Sequence, residues 1–154
     1  MSFDCEQIRD IVRGEFLAVE RPSNLLSSYR PKTKKLLKQW ESFENIDWDN
    51  LTDDSFLGIY EPNTFVSPEA YAYLFPRVFS FVCDKGEKAF VHDFVKVFFE
   101  LPIVAAKQNY FDFFSLGQRH VAIKAFDCLV QALGYKEFFD WTDSRAVIHR
   151  LLFE

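Results

Sequence analysis

The stretch that most constrains this chain is residues 87–101. On a wheel of 100° per residue, Phe90, Val91, Phe94, Val95, Val97, Phe98, Phe99 and Leu101 cover more than half the circumference. Only His92, Asp93, Lys96 and Glu100 form a polar strip. A helix apolar over that width must be packed on several sides.

The same period runs through the rest of the sequence. Ile8, Ile11, Val12, Phe16 and Val19 share a stripe, with Asp4 as a cap and Arg21-Pro22-Ser23-Asn24 as the stop. A second helix over residues 31–43 puts Leu36, Leu37, Trp40 and Phe43 on one face, with Pro31 in its first turn. Residues 44–66 are the least regular, with room for a short strand over residues 56–60. Ser67-Pro68 reads as an N-cap followed by proline at the first helical position. The helix that follows carries Tyr71, Leu74, Phe75, Val78, Phe79 and Val82. Pro76 lies inside it, removes a backbone donor and crowds the carbonyl four residues back, which predicts a kink or break near residues 72–75. Asp84-Lys85-Gly86 ends that element, and Pro102 closes or kinks the next. Ser115 with Gln118 forms a capping-box signature. Behind it Ala122, Phe126, Leu129, Val130 and Leu133 face inward, and His120, Lys124, Asp127 and Gln131 face water, with Gly134 at the C′ position. A last helix over residues 143–153 uses Val147, Ile148, Leu151 and Leu152. The expected fold is all-α: a single domain over residues 1–154, a bundle of about six helices with one kinked at Pro76.

Composition agrees with that class. The 154 residues include nineteen Phe, six Tyr and three Trp but only five Gly, where average usage gives about eleven. So little glycine argues against chains of tight turns and against glycine-rich nucleotide loops. The simplest reading of the phenylalanines is a Phe-rich core, with the surplus on the surface or in a patch facing a partner. Net charge is −5, the wrong sign for a protein that grips phosphates, so no nucleic acid is expected as partner. No apolar run reaches about 18 residues, so no membrane span is expected. Met1-Ser2-Phe3-Asp4-Cys5-Glu6 turns acidic at once and lacks the pattern of a signal peptide, which points to a cytoplasmic protein. Cys5, Cys83 and Cys128 are distant in sequence and form no CxxC, so free thiols are expected rather than a disulfide framework or zinc site.

Catalytic chemistry finds little support. His92-Asp93 resembles the central pair of metal-dependent phosphohydrolases. Those enzymes need a ligand histidine upstream, and His92 is the first histidine in the chain. There is no HExxH and no GxSxG. His120 and His149 lie on polar helix faces. Cys83 sits near a helix C-terminus, where the dipole disfavours a thiolate. Leu116-Gly117-Gln118 is a helix start, and Asp53-Asp54 is more in keeping with capping than catalysis. No catalytic, cofactor-binding or metal-binding residue is expected.

Charge is segregated. Residues 21–40 hold six bases (Arg21, Arg30, Lys32, Lys34, Lys35 and Lys38) and no acid. Residues 39–76 hold eight acids and no Lys or Arg, interleaved with Trp40, Trp48, Phe56, Tyr60 and Phe65. Aromatic anchors among carboxylates suit a surface that binds a basic protein. The alternative is that the acidic block folds against the basic one and each neutralises the other.

Three segments carry a likeness: Trp48-Asp49-Asn50-Leu51; Phe65-Val66-Ser67-Pro68-Glu69-Ala70-Tyr71-Ala72-Tyr73-Leu74-Phe75-Pro76; and Phe114-Ser115-Leu116-Gly117-Gln118-Arg119. They resemble the tryptophan segment, the SPEAxxYYLP-type helix and the later SLxxQ helix of a family of small bacterial helical proteins with no established activity. The chain departs from that pattern at Tyr73-Leu74-Phe75-Pro76, where the family favours two tyrosines and a leucine before the proline. The resemblance implies the helical fold and a bacterial cytosolic setting, but no site. A looser likeness of type, not motif, links it to the small acidic immunity proteins that bacteria keep beside a toxin gene. The expected function is therefore a non-enzymatic protein-binding domain, most concretely an immunity protein for a basic toxin. Its partner-binding residues would be Trp48, Asp49, Asp53, Asp54, Tyr60 and Glu61. The rivals are a small enzyme with a site assembled across helices from His120, Asp127 and a tyrosine, and a self-associating structural protein.

Overall fold

The structure is a computed structural model that describes residues 5–25, 32–57, 59, 66–131 and 141–154. Six α-helices make up the described fold: α1 Cys5–Glu15, α2 Lys34–Glu44, α3 Pro68–Lys85, α4 Asp93–Val104, α5 Leu116–Gln131 and α6 Trp141–Phe153. Short 3-10 turns lie at Asp53–Phe56, Gly86–Val91 and Ala106–Gln108. Among the described residues there is no strand; of the segment with room for one, Phe56 ends a 3-10 turn and Leu57 continues as a turn, and residues 58 and 60 lie outside the described residues. The fold is all-α, as expected.

The helix signals act mostly where the sequence puts them. Ser67 Oγ accepts from the Ala70 backbone N–H at 3.1 Å, with Pro68 at the start of α3. The Ser115–Gln118 box is reciprocal: Gln118 Oε1 accepts from Ser115 N–H at 2.8 Å, and Ser115 Oγ accepts from Gln118 N–H at 3.2 Å. Gly86 ends α3 at φ +66°, a conformation glycine adopts freely. Two starts shift. Thr33 caps α2 in place of a start at Pro31, and α4 begins at Asp93 because residues 86–91 wind as a tighter 3-10 turn. Asp4, Pro31, Leu133 and Gly134 lie outside the described residues.

Helix α3 is the axis of the molecule. From Ala70 to Val82 only Arg77 reaches the surface appreciably. The Phe75 ring lies at centroid distances of 5.5 Å from Phe16, 5.5 Å from Phe114, 5.8 Å from Phe126 and 6.1 Å from Phe99, joining α1, α4, α5 and the 111–114 turn. Each such ring contributes ~1.5–3 kcal/mol by burial, and each well-placed ring pair ~0.5–1.5 kcal/mol more. Helix α1 runs antiparallel to both α3 and α5: its first turn meets their late turns, and Glu15 O accepts from Gln118 Nε2 at 3.1 Å at the other end. Gly117 sits at that crossing, where an added Cβ would come within 2.7 Å of the Glu15 carboxylate. Helix α6 is fastened to α5 by Arg145, whose Nε and Nη2 donate to the two Asp127 oxygens at 2.9 and 3.2 Å. Asp127, expected to face water, is therefore largely covered. The Arg119 guanidinium donates to the Phe114 and Phe111 carbonyls at 3.0 and 2.7 Å and also to the Leu152 carbonyl, tying the 111–114 turn to the end of α6.

Both internal prolines are carried without ending their helices, so neither produces the break that was one of the two expectations. At Pro102 the reason is visible. It has no N–H for the Phe98 carbonyl one turn back, and the buried Tyr71 hydroxyl donates to that carbonyl at 3.0 Å. Tyr71→Phe is expected to cost about 1–3 kcal/mol by stranding a buried acceptor. In a Pro102→Ala background, where a backbone N–H can serve Phe98, the same change should cost clearly less. Thermal unfolding of the four proteins in this double-mutant cycle reads the coupling.

Candidate partner-binding groove

A groove of about 640 Å³ opens between the end of α1, the outer face of α3 and residues 48–52. The third wall is built by a short-range device. Asp47 folds the chain back, its Oδ2 accepting from Asn50 Nδ2 at 3.1 Å and its Oδ1 from Asp49 N–H at 3.3 Å. That turn sends Trp48 inward and Asp49 outward.

Trp48 is only 2% exposed and packs on Phe43 at 5.0 Å and Phe94 at 5.6 Å. It forms part of the groove's base, with its indole N–H buried and without a hydrogen-bond partner among the described residues. Phe56 is buried too, between Phe81 and Phe94. The expectation that these rings are exposed anchors is therefore corrected: they are core, because the Asp47 turn and the 3-10 turn after Thr52 direct them onto α3 and α4. Of the described phenylalanines, Phe113 is the one that stands well exposed.

The carboxylates stay outside. Asp49 accepts from Arg77 Nε at 2.9 Å, while Arg77 Nη1 donates to the Tyr73 carbonyl at 2.8 Å and its guanidinium lies 3.7 Å from the Tyr73 ring centroid. Asp53 accepts from His92 Nε2 at 2.8 Å and pairs with Lys85 at 3.3 Å. The His92 hydrogen bond, aided by Lys85, holds the Asp53 carboxyl below its ordinary range. Asp54 is exposed in the same 3-10 turn. Tyr60 and Glu61 lie outside the described residues. Neutralisation within the protein does occur; among the described residues its bases are Arg77, Lys85 and His92, from α3 and the turn after it, and Arg30 lies outside the described residues. Lys32, Lys34, Lys35 and Lys38 stay exposed on and before α2 and pair with no acid of the block among the described residues.

The opposite wall was not singled out from the sequence. Arg77, Ser80, Phe81 and Asp84 recur at three- and four-residue spacing and so share the outer face of α3. Arg13 Nε donates to Ser80 Oγ at 2.9 Å, and Arg9 pairs with Asp84. Leu17, 84% exposed, stands at the lip. That spacing was readable, but it was masked by the stronger apolar stripe of the same helix. The lining thus combines paired ions with apolar surface, and no histidine or cysteine is among its described residues.

The residues of the rival enzymatic reading are not assembled. His120 and Asp127 stand about 10 Å apart along α5. His120 rests on Phe153 at 4.9 Å, as His149 does at 4.8 Å, and Asp127 is taken by Arg145. Among the described residues, no helix is long and apolar enough to cross a membrane. No family model, curated protein or solved structure matches the chain.

Two outcomes follow from this placement. Trp48→Ala should destabilise by about 3–5 kcal/mol in denaturant unfolding, against under ~1.5 kcal/mol for Trp48→Phe and within ~0.5 kcal/mol for Asp54→Ala. Asp53→Asn should lower stability at neutral pH. Because the folded Asp53 pKa is depressed, its stabilisation is present above the ordinary carboxylate pKa and fades as pH falls through the folded value. The wild-type and Asp53→Asn unfolding curves should therefore converge in acid.

Proposed function

We propose that the chain is a non-enzymatic protein-binding domain, most concretely a bacterial immunity protein that neutralises a basic toxin by occupying its working surface. The observation that carries this reading is the groove between α1 and α3, whose rim sets exposed carboxylates beside Arg13 and Arg77. Asp49, Asp53 and Asp84 line it or flank it with side chains 68%, 56% and 56% exposed, and Leu17 offers an apolar contact at its lip. Exposed ion pairs such as Arg77–Asp49 hold little net energy, so a partner's lysine or arginine can replace the internal base at small cost. The carboxylates then steer association, and the apolar lining supplies the affinity. The role foreseen for Asp49, Asp53 and Asp54 is kept, as charge at an edge. The anchor passes from Trp48 to groove positions such as Leu17, with Trp48 fixing the wall from below. The bacterial, cytoplasmic setting belongs to this same reading and rests on the sequence likeness.

The test is capture with the tagged chain from the cells that make it, followed by binding and growth measurements on the captured protein. The reading expects a basic protein whose toxicity the chain suppresses. Asp54→Lys should weaken binding about tenfold, mainly in the association rate, and flatten its salt dependence. Leu17→Asp should weaken it further through faster dissociation. Unchanged affinity in both variants, or an acidic or harmless partner, would contradict the proposal.

A further inference from the structure

The three cysteines, far apart in sequence, converge in the fold. Cys5 opens α1 and Cys128 lies late in α5, 123 positions away, yet their sulfurs stand 2.8 Å apart, inside van der Waals contact. Cys83, near the end of α3, donates its S–H to the Cys5 carbonyl at 3.6 Å. We propose that Cys5 and Cys128 are a redox-modification site, closing under peroxide into an intramolecular disulfide that clamps α1 onto α5.

Access sets the order of events. Cys5 is half-buried and Cys128 fully buried, so peroxide reaches Cys5. The Cys5 sulfur attacks one peroxide oxygen and the O–O bond breaks. Hydroxide leaves and takes up the thiol proton as water, giving the sulfenic acid. The Cys128 sulfur then attacks the Cys5 sulfur and displaces the hydroxyl as a second water, the Cys128 proton leaving with it. Two thiols are oxidised by two electrons and one peroxide is reduced to two waters. A dithiol reductant reverses the bond by exchange. Cys83 stays out of this sequence. Its S–H is donated to the Cys5 carbonyl, whereas the sulfur in contact with Cys5 Sγ is that of Cys128.

The geometry supports clamping more than rearrangement. Helix α1 is already anchored on α5 at its far end by Glu15 and Gln118, so a bond at Cys5 would fix both ends. Cross-linking positions this far apart restricts the unfolded chain strongly. It would also hold Arg13 and Phe16, which line the groove, although the proposal stands whatever the groove binds.

The test is peroxide treatment of the whole folded chain, alkylation of the remaining thiols and peptide mass mapping, with thermal unfolding in parallel. The expected product is a monomer lighter by two hydrogens, carrying a Cys5–Cys128 link and an alkylated Cys83. Its melting temperature should rise by roughly 10 °C and fall back on adding dithiothreitol. Cys83→Ser should behave like wild type, and Cys5→Ser, at a half-exposed position, should lose the rise. A link that includes Cys83, a disulfide between chains, three thiols still open to alkylation, or over-oxidised Cys5 without a link would overturn the proposal.

Discussion

The ring of Phe75 occupies the point where α1, α4, α5 and the 111–114 turn meet, and the remaining elements depend on that meeting. A helix buried on nearly every side cannot show one apolar stripe. It must be apolar around most of its girth, as α3 is from Ala70 to Val82. Large flat rings fill such a centre efficiently. They bury much area for few rotatable bonds, and edge and face contacts give them preferred orientations. The aromatic excess of the composition is thus chiefly a consequence of having one helix at the axis.

Burying a helix raises the cost of any unpaired backbone group within it. Pro102 creates such a group at the Phe98 carbonyl, and Tyr71, whose ring stacks on Phe98 at 4.3 Å, supplies the donor. Packing and hydrogen bonding are therefore joined in one residue. Arg119 does similar work at the periphery, giving the carbonyls at the end of α6 and in the preceding turn a common donor. The segments around residues 71 and 114–119 are thus accounted for by packing and hydrogen bonding in this fold, independent of any site.

Much of this was legible in the sequence, because helical period and caps are local signals. Ser67-Pro68, Gly86 and the Ser115–Gln118 box mark helix ends within the range that fixes them. What was not legible depended on where helices meet. Trp48 and Phe56 lie in a segment without period, and their inward direction follows from the Asp47 turn and from the position of Phe43 and Phe94. The acidic block reads as a unit along the chain, but among the described residues its partners Arg77, Lys85 and His92 belong to other elements. The convergence of Cys5, Cys83 and Cys128 has no sequence signal at all, since it rests on α1 lying antiparallel against both α3 and α5. The groove combines both kinds of information: its α3 wall has a readable spacing, and its apposition to residues 48–52 does not.

The central claim is that the aromatic surplus is a core organised around Phe75. It is tested most directly by comparing the unfolding free energies of Phe75→Ala and Phe113→Ala, one ring at the centre and one 56% exposed. The account predicts a loss of about 3–5 kcal/mol for Phe75→Ala, with its near-UV aromatic signal collapsing, and a change within ~0.5 kcal/mol for Phe113→Ala. Similar small losses at both positions would contradict it.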